Sequence, residues 1–487
     1  MHLDIFQTHM ELYPYTKDDY PVIEKMYTAT DRFTMDEFPC GYMIADGKLF
    51  LPRGTPISKL EKLTGVKPNY DTDIDPYEKM SRQFYSLHDP RDRLQEESID
   101  FFLTETNPQL ALNLMTGQGK TFCVCYASSK IKEKIIIITP NEGLKQQWIK
   151  TYEKMFDYRP KHMMNIAGSH IIESIMNDEV ELVDVYFVNH QTLRSYMTSN
   201  TGTALHRFFK KIKVGIKVYD ESHMEFANIL LIDFFSNTKR TWYLTATFDR
   251  SDRSESICFK RAFNSVLTYG EVESKQVMDK HVVYHVVNIN SRATHKHKSK
   301  IIGFAGMSSI SYGYYAFDCY KPDKNGYIQD GDKNQTAYMA ILEIINKIKD
   351  IEGKILIFVP LIDSVDDIVK KLKRDVPYKS VSAYHSKIDK DDKASAMKKD
   401  IIVSTIKSCG TGRDIPGLRS VICAEPIASK VVAEQMFGRL RPYAKDKLTY
   451  FFDIVDVSIT PINWWFRARF RKIETLAKEI IYLNLDK

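Results

Sequence analysis

The chain has 487 residues, 43% of them hydrophobic and 27% charged, a composition that excludes wholesale disorder. Its longest apolar stretches, such as Ile135–Ile138 and Ile355–Val359, fall far short of the roughly 18 residues a membrane span needs. Seven scattered cysteines give neither a disulfide framework nor a C-x-x-C metal spacing, and the net charge of +6 is uneven, with 14 acidic against 9 basic side chains in the first 80 residues. Any surface suited by bulk charge to a polyanion therefore lies after residue 80. The N-terminus MHLDIFQTHMELY has an early acid and no basic-then-apolar pattern, so no secretory leader is expected. A soluble, intracellular protein without structural zinc is the expectation, with Cys123 and Cys125, the one close pair, as small buried helix residues.

In chain order, residues 1–80 read as a small α+β domain. Leu49–Leu51 is a strand running into the turn Pro52-Arg53-Gly54, and Pro56–Thr64 is a short helix stopped by a left-handed cap at Gly65. The acidic, Pro-bounded stretch Asn69–Pro76 reads as a linker. Strand–helix alternation follows, with strands at Leu110–Leu114, Lys134–Thr139, Leu182–Val188, Val214–Tyr219 and Thr241–Thr245. After a transition near 270–280 a second set appears at Ile355–Val359, Ser380–Ala383, Ile401–Ser404 and Val421–Ala424. Short apolar runs separated by longer periodic segments predict parallel sheets covered on both faces. The expectation is an α/β protein with a small domain over 1–80, one lobe over 81–275 and a second over 276–487. His295–Gly326 lacks clean periodicity and reads as an insertion or long hairpin.

The strongest local signal is Thr116-Gly117-Gln118-Gly119-Lys120-Thr121, placed after a strand and opening a helix. Backbone N–H groups at a helix start point at an anion, the glycines permit close approach, Lys120 neutralises phosphate, and Thr121 offers a hydroxyl to Mg²⁺. The full phosphate-loop pattern would have glycine at position 114, where this chain has leucine. About 100 residues on, Val214–Tyr219 ends in Asp220-Glu221-Ser222-His223. Asp220 is placed to hold Mg²⁺, Glu221 to accept a proton from an attacking water, and His223 to couple this site to others.

With these residues the chain resembles the superfamily 2 helicases over roughly residues 85–460. Gln95 is similar to the adenine-reading glutamine, Thr116–Thr121 to motif I, and Asp220–His223 to a D-E-x-H motif II. Pro140 with Leu144, Gln147 and Trp148 resembles motif Ia, and Asn189–Leu193, with Thr192, stands where motif Ib belongs. Leu244-Thr245-Ala246-Thr247 resembles motif III, Gly410–Pro416, with Thr405 before it, motif V, and Gln435–Arg441 motif VI. Within the superfamily the likeness is to phage and viral DNA helicases of the UvsW type.

The resemblance implies two tandem RecA-like lobes with ATP and Mg²⁺ used between them. It assigns nucleotide to Gln95, Thr116, Gly117, Gln118, Gly119, Lys120, Thr121, Gly412 and Asp414, and metal to Thr121 and Asp220. Catalysis falls to Glu221, Gln435 and an arginine finger. Motif VI is one residue short, since only Leu440 separates Arg439 from Arg441, and Arg441 is favoured over Arg439. Coupling falls to His223, Thr245 and Thr247, and nucleic-acid contact to Gln147, Trp148, Thr192 and Thr405.

Two features lie outside the motifs. Asn463–Lys472 reads NWWFRARFRK, and as a helix it aligns Phe466, Phe470, Ile473 and Ala477 on one face, with Arg467 and Arg471 on another. It is either a packed terminal helix or a phosphate-tracking one with Trp464 or Trp465 on a base. Arg53 is a candidate backbone or junction contact in the N-terminal domain.

The function expected is an ATP-dependent DNA helicase or translocase acting on branched or duplex DNA through backbone contacts, monomeric, in the host cytoplasm if phage-encoded. RNA is the less expected partner, and an RNA helicase or viral transcript-release motor is the alternative. A nucleotide-switched clamp is opposed by the intact Lys120, Glu221 and Arg441, and a restriction motor by the lack of a nuclease motif.

Overall fold

The computed structural model describes residues 1–30, 35–71, 73–82, 84–115, 117–156, 160–200, 202–246, 253–276, 280–303, 306–317, 335–409, 415–443 and 448–485. The chain divides into two compact units, Met1–Met278 and Asp279–Lys487.

The first unit holds a five-stranded sheet and a seven-stranded one. The smaller sheet orders its strands Met43–Ala45, Lys48–Pro52, His9–Tyr13, His2–Ile5 and Pro68–Tyr70, antiparallel except for the last pair. The expected linker is thus partly a strand. Pro68 sits at its first position, where no ladder N–H is missed, and Asn69 Nδ2 donates to Asp4 Oδ1 at 2.9 Å. Further along, Asp75 is tied down by a backbone pair with Asn237 and accepts from Asn237 N at 2.7 Å. The helix Ile57–Thr64 ends at Gly65 with φ +72°, as its sequence predicts.

The larger sheet runs Met163–Ile166, Val185–Asn189, Ile135–Thr139, Ile216–Tyr219, Arg240–Thr245, Gln109–Asn113 and Leu267–Tyr269, and every pairing is parallel. Ile135–Thr139 shows why it forms. β-Branched side chains fill a strand buried on both faces, Ile135 and Ile137 in one core and Ile136 and Ile138 in another. The two outermost strands, Met163–Ile166 and Leu267–Tyr269, were not among the sequence candidates; they are short and lie at the edges.

The N-terminal 80 residues do not form a separate core. Leu3, Ile5, Met10, Leu12 and Leu49 belong to the same apolar cluster as Ile136, Tyr186 and Tyr243 of the large sheet. Thr8 Oγ1 donates to the carbonyls of Asp233 and Ser236 at 3.0 and 2.8 Å, and Phe50 lies against Phe234 and Phe235. Gly54 permits a close backbone approach: its N–H donates to Ala262 O at 3.2 Å, and a Cβ there would stand 2.4 Å from that oxygen.

The second unit is built on a seven-stranded, all-parallel sheet in the order Val381–Tyr384, Ile401–Ser404, Lys354–Phe358, Leu418–Cys423, Thr449–Asp456, Val282–Ile289 and Glu479–Asn484. The last three strands were not placed from the sequence. In the expected insertion, His295–Ile301 and Ser309–Ala316 are helices flanking a two-stranded hairpin, the first with a capping box from Thr294 and His297. Residues 318–334 lie outside the described set. The C-terminal helix spans Thr460–Ile473, so Ala477 lies beyond its aromatic face. No described helix is long and apolar enough to cross a membrane.

Candidate active site

Parallel sheets gather loops at the carboxyl ends of their strands. In the large sheet of the first unit, the register pairs Thr245 with Asn113 and Thr139 with Asn189, so four strand ends meet at one edge. The residues singled out from the sequence follow these ends.

Asn113 ends a fully buried strand, and the chain turns into the helix Lys120–Ile131 through Gly117 at φ +94° and Gly119 at φ +90°. Gly119 is required twice. Its φ suits glycine alone, and a Cβ would stand 2.2 Å from Gln95 Nε2. Lys120 is buried and donates from Nζ to Leu114 O at 2.9 Å, inside the curve of its own loop. Gln118 Oε1 accepts from Met115 N at 2.9 Å, which tightens the turn. Thr121, in the helix's first turn, is half-buried, and Thr116 lies outside the described residues.

Gln95 closes over this loop. Asp92 caps the helix Arg93–Thr104, accepting from Gln95 N at 3.0 Å. The Gln95 amide then spans two partners, accepting from Arg91 N at 2.8 Å and donating to Gln118 O at 3.1 Å. An amide so held presents fixed donor and acceptor edges beside a loop of backbone N–H groups.

Asp220 and Glu221 follow the strand Ile216–Tyr219. Asp220 is buried, and its Oδ2 accepts from Trp148 Nε1 at 2.8 Å. Burial, and then the Glu221 carboxylate beside it, push its carboxyl up to about 6, against the pull of Trp148 and Lys120. Glu221 has φ +48°, a left-handed backbone that a non-glycine residue adopts at a cost of roughly 1–3 kcal/mol. Its Oε2 is buried without a hydrogen-bond partner, with His223 Nδ1 at 3.5 Å. His223 Nδ1 is also 2.8 Å from Thr245 Oγ1, which joins the acidic strand end to its neighbour. Thr247 lies outside the described residues.

A loop of N–H groups with a buried cation, a buried acid and an orphaned carboxylate can bind a polyphosphate, hold a hard cation on oxygen ligands and accept a proton from water. Among the described residues no cluster of three or more His, Cys, Asp or Glu could hold a metal by itself.

Trp148 corrects an expectation. It is only 1% exposed, on the inward face of Glu142–Met155 with Leu144 and Tyr152, so it orients Asp220 and cannot lie against a strand of nucleic acid. Gln147 beside it is exposed, and Thr192 is half-buried. Thr405 is also buried, and its Oγ1 bonds Ser408 Oγ at 2.9 Å, capping the turn Ile406–Cys409. In the second unit Gln435 lies on the helix Lys430–Phe437; it and Arg439 are buried, whereas Arg441 is half-buried. Gly412 and Asp414 lie outside the described residues. Arg53 lines an open pocket of about 440 Å³ with Glu105, Asn107, Gln109 and Ser265; its Nε is buried without a hydrogen-bond partner, and burial lowers its pKa.

Two groups escaped the sequence reading. Asp233 is a buried hub against the strands Ile216–Tyr219 and Arg240–Thr245, bonded to Lys217, Tyr219 and Tyr243. An acid inside the apolar run FANILLIDF was its visible signal. Glu425, two residues past the strand Leu418–Cys423, accepts from Ile406 N at 3.4 Å, and burial pushes its carboxyl up to about 7. An acid after a buried strand was the same signal that marked Asp220.

Comparison with known proteins agrees with this geometry. Residues 85–250 match the family model described as the type III restriction enzyme res subunit, and residues 336–441 match the helicase conserved C-terminal domain. The transcript termination protein A18 of Yaba monkey tumor virus is 24% identical over 399 residues, covering 78% of this chain and 74% of its own. The putative helicase 161L of Invertebrate iridescent virus 6 is 22% identical over 386 residues, covering 76% and 77%. The DEAD-box helicase Mss116, solved with single-stranded RNA and UDP-BeF, shares the fold with a TM-score of 0.55 at 16% identity, covering 81% of this chain and 74% of that one. Two helicase domains in order, each on an all-parallel sheet, place the chain among the superfamily 2 helicases, as an ATP-dependent motor that binds nucleic acid.

Proposed function

We propose that this helicase is a DNA motor acting where a duplex branches or carries a displaced strand. ATP is held by the loop 116–121, with Lys120 on its phosphates and Gln95 on its adenine, and Thr121 and Asp220 hold Mg²⁺. Mg²⁺ held there would supply positive charge against the charge that develops on the phosphate oxygens. Glu221 accepts the proton of the attacking water. Arg441 meets charge that grows on the transferred phosphoryl group, with Gln435 and Arg439 supporting it.

The observation that carries the branched-DNA reading is Arg53. An arginine whose buried Nε lacks a partner, in a pocket where the acidic N-terminal domain meets the first lobe, suits a phosphate that a linear duplex need not present there. Removing residues 1–80 would strip one face of the lobe, so a point substitution is the cleaner test. Arg53→Ala is expected to lower unwinding of forks and four-way junctions several-fold while single-strand-stimulated ATPase stays within twofold. An unchanged ranking of fork, junction and linear duplex would refute the role.

A second reading, release of an RNA transcript from its template, is favoured by the relatives named transcript termination proteins. Strand displacement from matched DNA duplexes, RNA–DNA hybrids and RNA duplexes separates the two: the first reading expects displacement of a DNA strand at a fork, the second a preference for the hybrid.

The arginines make a separate prediction. Arg441→Ala is expected to lower kcat with little change in ATP affinity, because its contact strengthens only in the transition state. Arg439, being buried, should lower the melting temperature when replaced by alanine and lower kcat less. Steady-state kinetics with thermal melts of both variants check this, and a larger kcat loss at Arg439 would exchange their roles.

A further inference from the structure

The helix Thr460–Ile473 sorts its arginines. Arg469 is 1% exposed, with Nε and Nη2 on Asp453 at 2.9 and 2.7 Å and Nη1 donating to Ile427 O at 3.0 Å. With Ile462 and Ile473, also buried, it fixes the inner face of the helix. The opposite face carries Trp464, 63% exposed, with Arg467 and Arg471 exposed beside it. Offsets of three and seven residues set all three on one stripe roughly 10 Å long. Among the described residues, neither Arg467 nor Arg471 meets an acid. Lys472 does not join them, since it pairs with Glu434 at 3.4 Å.

The stripe does nothing for the fold. Two like charges one helical turn apart repel, and a large indole is left in water although Trp465 next to it is half-buried. Both features become favourable against one chemistry. Guanidinium groups bind phosphates, and an indole stacks on any base whose face is open. A duplex offers phosphates but no open base face, and an acidic protein surface offers charge but no flat π system.

We propose that Trp464, Arg467 and Arg471 form an accessory track for single-stranded nucleic acid on the second lobe, separate from the motif residues. It rests on the helicase reading only in that an unwinding motor generates such a strand.

The test measures oligo-dT binding to the full chain across a salt series, alongside an abasic oligonucleotide and a blunt duplex. Trp464→Ala should weaken dT binding roughly 5- to 100-fold, and Trp464→Phe should recover most of it. The abasic strand should bind wild type and Trp464→Ala alike. Arg467→Gln with Arg471→Gln should reduce the salt slope by about 1.4, two contacts at roughly 0.7 each for a single strand. The ATPase KM for dT should rise by more than kcat falls in every weakened variant. Thermal melting should be unchanged, because all three side chains face solvent.

Unaltered dT affinity and slope in all variants would overturn the proposal, as would equal losses on dT, abasic strand and duplex, which would make the stripe a general phosphate patch. Binding of anionic vesicles that is lost in the variants while dT binding is kept would overturn it in favour of a membrane surface. The proposed function fails separately, if the wild-type protein does not prefer branched over linear DNA.

Discussion

Glu221→Gln is expected to slow ATP hydrolysis about 10²–10⁴-fold while nucleotide binding persists. The expectation rests on what surrounds the side chain. Glu221 Oε2 is buried without a hydrogen bond, with His223 Nδ1 3.5 Å away, so an amide of the same shape breaks no hydrogen bond at that oxygen and keeps the packing. What is lost is the proton acceptor. The left-handed backbone at Glu221 points the same way, since strain of that kind persists where the surrounding structure over-determines it. The substitution has a second consequence. The Glu221 carboxylate helps to raise Asp220, so its neutral replacement should lower the Asp220 carboxyl from about 6 and favour the ionised form that a cation needs. The variant should therefore hold Mg²⁺-nucleotide at least as well as wild type and accumulate loaded. Single-turnover hydrolysis with equilibrium binding of a labelled nucleotide checks both halves, and a rate loss below tenfold would mean that another group polarises the water.

The sequence made the inner strands legible because burial on both faces selects continuous apolar runs, as in Ile135–Thr139 and Ile401–Ser404, where prediction and structure differ by at most a residue. Val282–Ile289 and Thr449–Asp456 were harder, because histidine, tyrosine, asparagine and aspartate interrupt them. Their polar members serve the packing: Tyr284 donates to Asp453 Oδ2 at 2.5 Å, and Asp453 anchors Arg469. Motif spacing singled out Lys120, Asp220 and Trp148, and the structure buries the Trp148 ring against Asp220. The i, i+4, i+8 pattern of Leu144, Trp148 and Tyr152 already placed that ring on the inward face, and the motif resemblance outweighed it. The Gln95 amide over Gly119 joins residues 24 apart through a loop, and no local periodicity encodes that approach. The fusion of the N-terminal domain to the first lobe was hidden for the same reason, since Thr8, Gly54 and Phe50 meet partners more than 180 positions away.

Asp233→Ala should be among the most damaging single substitutions outside the phosphate loop, destabilising the first unit by about 3–5 kcal/mol. Lys217 is fully buried on the central strand Ile216–Tyr219, with Nζ 2.6 Å from Asp233 Oδ1. Tyr219 and Tyr243 donate their hydroxyls to the two Asp233 oxygens at 2.7 and 2.8 Å, and Lys217 also reaches Ser236 Oγ at 2.6 Å. Burial lowers the lysine's pKa, and Asp233 opposes the fall, so the alanine variant leaves either an uncompensated charge or a neutral amine, together with two phenol O–H groups that have lost their carboxylate acceptor. The damage should reach the chemistry. Tyr219 immediately precedes Asp220, Tyr243 lies two residues before Thr245, and the two rings stack at 5.5 Å. The N-terminal domain should feel it too, because Thr8 donates to the carbonyls of Asp233 and Ser236. Replacing both charges by apolar side chains, Lys217→Met with Asp233→Leu, removes the stranded charge and should recover much of the loss. Denaturant melts of Asp233→Ala and of the double variant decide it: a cost below about 1 kcal/mol for Asp233→Ala, or a double variant no more stable than Asp233→Ala, would show that the ion pair is not the element holding these strand ends in place.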